Sequence, residues 1–252
     1  MQQPSLQQNR AAQIISRFEQ QNHAVALLTP TSSCPSLPGL DLLSFHGVLA
    51  NYDAPLLDQQ LNWLSEVQHV AYQYQRSKNG KRMVFSDGVF CDFYLYSPDQ
   101  LSQANADNWQ LEWCASSDAI PAYPVSASET FENRTEWLLG ELLTNLTLGL
   151  RHFAQNEKLA AFQCVQQNAL NHLCTLMLRC QQQSAQAMRD TTWEALANEQ
   201  GCNMAEFASG YEHSPNAAQA ILKHLESMHC INHFVKDQIL NLIASCLKPV
   251  EQ

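Results

Sequence analysis

The stretch VFCDFYLY at residues 89–96 has the composition of a buried β-strand, yet it contains the carboxylate of Asp92. A second stretch, LDLLSF at residues 40–45, places Asp41 in a similar apolar setting. Burying an unpaired charge is expensive, so each carboxylate needs a compensating partner or a solvated position at a strand end. A strand end is the simpler explanation for either residue alone. Together, two converging carboxylates would form an oxygen-rich site for a divalent cation such as Mg²⁺.

Turn signals next to the first stretch predict its neighbouring elements. Asn79-Gly80 and Asp87-Gly88 are typical of tight hairpin turns, so residues 70–96 are predicted to form a three-strand meander. Asp87 is interpreted as a turn residue, and the cations around the first turn as a solvated hairpin tip. Those cations are Lys78, Lys81 and Arg82.

The rest of the chain divides into a mixed half and a helical half. Pro and Ser residues concentrate at 115–128 and predict a linker there. Before it, apolar spacing predicts helices and strands; after it, helix alone. We therefore expect an α+β protein, with a small mixed-sheet domain at residues 1–114 and an all-helical bundle at 129–252. Within the bundle, Asn156-Glu157 is predicted to lie in a turn and Gly201 to end a helix.

Composition excludes several classes of function. The formal net charge of −10 argues against a nucleic-acid partner and against docking on an anionic membrane surface. No apolar run approaches the roughly 18 residues that a membrane-spanning helix needs. The nine cysteines include no Cys-x-x-Cys pair, which indicates free thiols in a reducing compartment and disfavours a zinc site. We therefore expect a cytoplasmic protein.

A small α/β unit with strand carboxylates, followed by a helical bundle, resembles the nucleotidyltransferases of the DNA polymerase β superfamily. The resemblance is closest to the lincosamide and aminoglycoside nucleotidyltransferases, and it covers residues 24–45, 62–96 and 133–179. In that family, three carboxylates hold two Mg²⁺ ions, which bridge the nucleotide phosphates and activate an acceptor hydroxyl. A Gly-Ser loop lets backbone N–H groups approach the triphosphate.

The resemblance implies roles for particular positions. Asp41 matches the second carboxylate of the family and Asp92 the third, which implies that both act in catalysis and hold Mg²⁺. The nucleotide-binding loop falls at three consecutive hydroxyl residues, Thr31, Ser32 and Ser33. Two features depart from the family pattern. Gly39 stands where the first carboxylate is expected, and the loop contains no Gly.

Two functions follow from the resemblance. An active enzyme would transfer a nucleoside monophosphate from an NTP to a hydroxyl of a small-molecule acceptor, with Mg²⁺ as cofactor. The missing carboxylate and the missing Gly-Ser loop favour instead a catalytically inactive relative. Such a relative would bind a nucleotide or small ligand, or serve as a protein-interaction module. Because the family often forms dimers, a homodimer is also an expectation.

Overall fold

The computed structural model describes residues 5–31, 42–102, 109–116, 123–124, 134–180 and 192–248. The chain divides into two compact units, residues 1–132 and 133–252. Most of the predicted linker at 115–128 lies outside the described residues, so its bounds stay a prediction. Within the described ranges, no helix is both long enough and apolar enough to cross a membrane.

The first unit is built on a mixed six-strand sheet. The elements of this unit are α1 (Leu6–Phe18), β1 (Ala24–Pro30), β2 (Leu42–Leu49), α2 (Leu57–Leu61), α3 (Leu64–Val67), β3 (Val70–Ser77), β4 (Gly80–Phe85), β5 (Phe90–Tyr96), β6 (Leu101–Ser102), β7 (Trp109–Cys114) and β8 (Tyr123–Pro124). The strand order in the sheet is β3-β4-β5-β2-β1-β7; β2 and β5 are parallel, and the other neighbours are antiparallel. The predicted meander is confirmed as β3-β4-β5.

One face of this sheet packs against helix α1. Ser5 begins the helix with a capping box, and Ile14 and Phe18 are fully buried. The ring of Phe18 lies 6.0 Å from Phe93 and 6.1 Å from Trp113, which places a strand-β7 side chain in the core. Since strand residues alternate between faces, residues 92, 94 and 96 of β5 belong to the opposite face.

The second unit is helical in its described residues, as predicted. A turn at Asn156, with φ of 64°, joins the first two long helical segments, and Gly201 ends a shorter helix with φ of 68°. Both turn predictions are confirmed. The elements are α4 (Thr135–Ala154), α5 (Lys158–Phe162), a π-helical segment (Gln163–Ala169), α6 (Leu170–Cys180), α7 (Trp193–Glu199), α8 (Met204–Phe207), α9 (Ser214–Met228) and α10 (His233–Leu247).

Candidate functional site

Asp92 lies in the middle of strand β5 and accepts hydrogen bonds from two arginines. Arg82, directly opposite on β4, donates from Nε to Oδ1 over 2.6 Å and from Nη2 to Oδ2 over 2.7 Å. Arg76 of strand β3 donates from Nη1 to Oδ2 over 2.7 Å. Asp92 is 4% exposed and Arg82 is 5% exposed, so this is a buried ion-pair cluster. We call it the Asp92 cluster: Arg76, Arg82 and Asp92.

The two guanidiniums keep the Asp92 carboxylate ionised. Burial by itself would raise the pKa of this carboxyl, but the charges and hydrogen bonds of Arg82 and Arg76 outweigh burial and hold the pKa below its usual value. The cluster therefore carries two positive charges and one negative charge. A divalent cation at this carboxylate would lie beside two guanidinium cations, which repel it.

The position of Arg82 corrects one sequence prediction. Arg82 and Lys81 were expected at a solvated hairpin tip, but they are 5% and 8% exposed. Strand β4 lies between β3 and β5 in the sheet, and all six of its residues are buried. Lys81 forms an ion pair with Asp58 on the face that carries helix α1. Of the three predicted tip cations, Lys78 alone is exposed.

The sequence contains a signal for the hairpin that brings Arg82 and Asp92 together. A hairpin centred on Asp87 pairs residues that lie equally far from it on either side. Arg82 precedes Asp87 by five positions and Asp92 follows it by five, and the observed register pairs them. The predicted turn is confirmed, and the carboxylate of Asp87 accepts a hydrogen bond from the backbone N–H of Val89. A two-residue turn at Asp87-Gly88 would instead pair Asp92 with Met83, so the signal predicts the hairpin, and the observed partner depends on the longer turn of residues 86–88.

Aromatic rings extend the same sheet face beyond the cluster. His46 of strand β2 lies beside Tyr94, with the two rings stacked at 4.7 Å between centroids. Tyr96 stacks on His46 from 5.7 Å, and Trp109 meets it edge-on at 4.3 Å. Burial lowers the pKa of His46 to about 3, despite the opposite effect of Asp92, so the ring is neutral at pH 7. Together with the Asp92 cluster, these rings form what we call the Asp92 face.

Of the predicted site residues, Asp92 and Thr31 lie within the described residues. Asp41, Ser32 and Ser33 lie outside them, and their roles stay predictions. Thr31 follows strand β1, whereas Asp92 lies on β5. Strand β2 lies between these two strands, and its residue paired with Asp92 is Ser44. In the described part of the chain, no group of three or more His, Cys, Asp or Glu side chains is placed to hold a metal ion. Mg²⁺ binding is therefore an untested prediction.

Comparisons with known proteins leave the family unassigned. The chain matches no protein-family model and no curated protein sequence. Among solved structures, it is similar to an aminoglycoside 6-adenyltransferase from Bacillus subtilis, with 12% sequence identity over 98% of this chain and 100% of that chain. The TM-score of that superposition is 0.30, which is too low to establish a shared fold.

Proposed function

We propose that this chain is a catalytically inactive nucleotidyltransferase-like protein that binds a nucleotide or another small anionic ligand without Mg²⁺. The Asp92 face would be the binding surface. The observation that carries the proposal is the double arginine ion pair of Asp92. At the position where the resemblance predicts a metal ligand, the carboxylate already has two cationic partners. A metal ion is therefore not needed to compensate its charge.

The charge of the Asp92 cluster supports an anionic ligand. Among the described residues, the two guanidiniums and one carboxylate of the Asp92 cluster sum to one net positive charge. The Arg76 side chain is 26% exposed, against 6% for Arg82, so Arg76 is the cation that solvent and ligands can reach. Guanidinium groups bind phosphate and carboxylate oxygens strongly. The adjoining Tyr94 is partly exposed, and its hydroxyl accepts a hydrogen bond from Arg76 over 3.2 Å, so a ligand that reaches Arg76 would lie close to this hydroxyl.

The same cluster argues against nucleotidyl transfer. Two-metal chemistry requires several carboxylates with excess negative charge, so that the metal ions are held against phosphate repulsion. Here Gly39 replaces the first carboxylate of the family pattern, and Asp92 is neutralised by its partners. Asp41 would then be the sole carboxylate left from the pattern, which is too few for a two-metal site.

Calorimetric titration tests the proposal. Each of the four NTPs is titrated into the full chain, once with Mg²⁺ and once with EDTA, for wild type, Arg76→Gln and Asp92→Asn. We expect binding in EDTA that Arg76→Gln weakens about tenfold, as for the loss of one charge-assisted hydrogen bond. Arg17→Gln is the matched control, because Arg17 is also a partly exposed arginine in an ion pair, on helix α1.

The other outcomes contradict the proposal in distinguishable ways. Binding that requires both Mg²⁺ and Asp92 would indicate a working metal site and favour the active transferase. An absence of binding by all four NTPs would remove the nucleotide from the proposal and favour a protein-interaction module. An equal effect of Arg17→Gln and Arg76→Gln would mean that general charge, and not the Asp92 face, determines binding.

A further inference from the structure

A cavity of about 460 Å³ lies within the helical unit, and this volume is in the range of small-molecule sites. One wall comes from the segment 201–207, which includes helix α8 and contributes Glu206. The other wall is a single face of helix α9, because its four lining residues follow one another at helical spacing: Ala220, Lys223, His224 and Ser227. We call this the α8–α9 cavity.

The lining of the α8–α9 cavity contains one positive and one negative side chain, Lys223 on the α9 wall and Glu206 on the α8 wall. Both residues are exposed, and neither forms an ion pair or a side-chain hydrogen bond within the described residues. Two other lysines of this unit do have carboxylate partners, since Lys158 pairs with Glu212 and Lys236 with Glu226. The two charges in the cavity are therefore accessible to a ligand.

The other titratable groups in the lining are uncharged at pH 7. Burial lowers the pKa of His224 below its usual value, so the imidazole is neutral. Burial raises the pKa of the Cys202 thiol, and the charge of Glu206 raises it further, so the thiol stays protonated. The charges of the lining residues therefore sum to zero, with one cation and one anion on opposite walls.

The position of His224 connects the two walls. Its ring lies 5.5 Å from the ring of Phe207, which belongs to the α8 wall. Its Nε2 lies 3.3 Å from Oε1 of Gln200, and Gln200 in turn donates from Nε2 to the backbone oxygen of Met177 on α6 over 3.1 Å. These contacts hold α9 against its neighbours, so the cavity is formed by the packing of the helices and does not need a ligand to form.

We propose that the α8–α9 cavity binds a free α-amino acid with an uncharged side chain. Lys223 Nζ donates to the carboxylate of the ligand, and the Glu206 carboxylate accepts from its ammonium group. A zwitterion compensates both charges at once, whereas a simple anion would lie near Glu206 and a simple cation near Lys223. The lining has no further charged group, so a charged side chain on the ligand would lack a partner there.

Saturation-transfer NMR on the full chain tests the proposal, with free leucine, phenylalanine and glutamine as probes. Each probe is also tested as its N-acetyl derivative, which lacks the ammonium group, and as its amide, which lacks the carboxylate. We expect saturation transfer to at least one of the free amino acids. Its two derivatives should bind roughly three- to tenfold more weakly, as for the loss of one charge-assisted hydrogen bond at an exposed side chain.

Three variants change the cavity itself. Lys223→Gln and Glu206→Gln each remove one charge, and Ser227→Trp places a large ring at an exposed position of the lining. Ser227→Trp should abolish the signal, and each charge variant should weaken binding roughly three- to tenfold. Lys223→Gln should also reduce the preference for the free amino acid over its amide, and Glu206→Gln the preference over the N-acetyl derivative.

The matched controls are Lys248→Gln, Glu136→Gln and Ser245→Trp, because these residues are exposed, belong to the same unit and lie outside the cavity lining. Ser245 matches Ser227 closely, since each hydroxyl donates to the backbone oxygen three positions earlier. The controls should bind as wild type does, and thermal melting checks that each variant folds.

Three results would overturn the proposal. They are a lack of signal from all three amino acids, derivatives that bind as tightly as the free amino acid, and unchanged binding in Ser227→Trp. If a variant fails to fold, the comparison of each amino acid with its derivatives on wild type decides, because it needs no substitution.

Discussion

Asp92→Asn should lower the free energy of unfolding by about 3–5 kcal/mol, the usual cost of breaking a buried ion pair. The structure gives a similar figure independently. Asp92 accepts three charge-assisted hydrogen bonds, and an amide has one acceptor oxygen in place of two. The amide oxygen keeps two of these bonds at the Oδ2 position and one at the Oδ1 position, so one or two bonds are lost; at about 1.5–3 kcal/mol each, the loss is roughly 1.5–6 kcal/mol. Arg82 then stays buried with its charge uncompensated.

Urea unfolding followed by tryptophan fluorescence measures this change. With a slope of about 2–3 kcal/mol per molar urea, the midpoint should fall by roughly 1–2 M. Asp53→Asn is the control, because Asp53 is exposed and makes no capping hydrogen bond. The free energy of unfolding of this variant should differ from that of wild type by less than about 0.5 kcal/mol.

The sign of the effect decides between the two interpretations of Asp92. A carboxylate kept for metal binding is uncompensated in the free protein, so replacing it with Asn would leave stability unchanged or raise it. An Asp92→Asn variant as stable as wild type would refute the ion-pair reasoning. It would also restore the Mg²⁺ site as the better explanation of this residue.

Three further predictions concern other parts of the chain. Burial lowers the pKa of His46 to about 3, so as the pH falls this side chain is protonated in the unfolded chain at a higher pH than in the folded protein. The free energy of unfolding should therefore fall by about 1.4 kcal/mol per pH unit between pH 6.5 and 4. In His46→Phe, the urea midpoint should depend less on pH over this range. In Gly149→Ala, the new Cβ would lie 2.5 Å from Val165 Cγ2, so the thermal midpoint measured by circular dichroism should fall, at a cost of about 1–3 kcal/mol. Gln166 holds the backbone N–H and C=O of Gly210 over 2.8 and 2.7 Å, so Gln166→Leu should speed hydrogen exchange of the Gly210 amide, measured by NMR.

Local signals in the sequence were sufficient for much of the fold. The Asn79-Gly80 and Asp87-Gly88 signals locate the two turns of the meander, and the observed turns comprise residues 78–79 and 86–88. The αL residues Asn156 and Gly201 end helices where the sequence predicts. These features depend on residues that are close in sequence, and a single chain carries that information without reference to tertiary structure.

Other features depend on contacts between distant segments and were not predicted. Strand β7 pairs with β1, and the paired residues are separated by 79 to 88 positions, so no local turn signal predicts that pairing. The π-helical segment at Gln163–Ala169 has an ordinary helical sequence pattern. Gln166 of this segment donates a hydrogen bond to the backbone oxygen of Gly210, 44 positions along the chain, and helical periodicity does not predict a contact over that distance. Such pairings are selected by packing, which local propensity does not encode.

The candidate site shows how register changes the meaning of a buried charge. From the sequence, Asp92 is an expensive carboxylate in an apolar strand, and a metal ion is one way to compensate it. The pairing with Arg82 supplies another, and Arg76 adds a second cation. A metal site needs an excess of negative charge, whereas this cluster has an excess of positive charge. The cationic partners of the carboxylate, and not the carboxylate alone, therefore decide whether a metal ion is needed to compensate its charge.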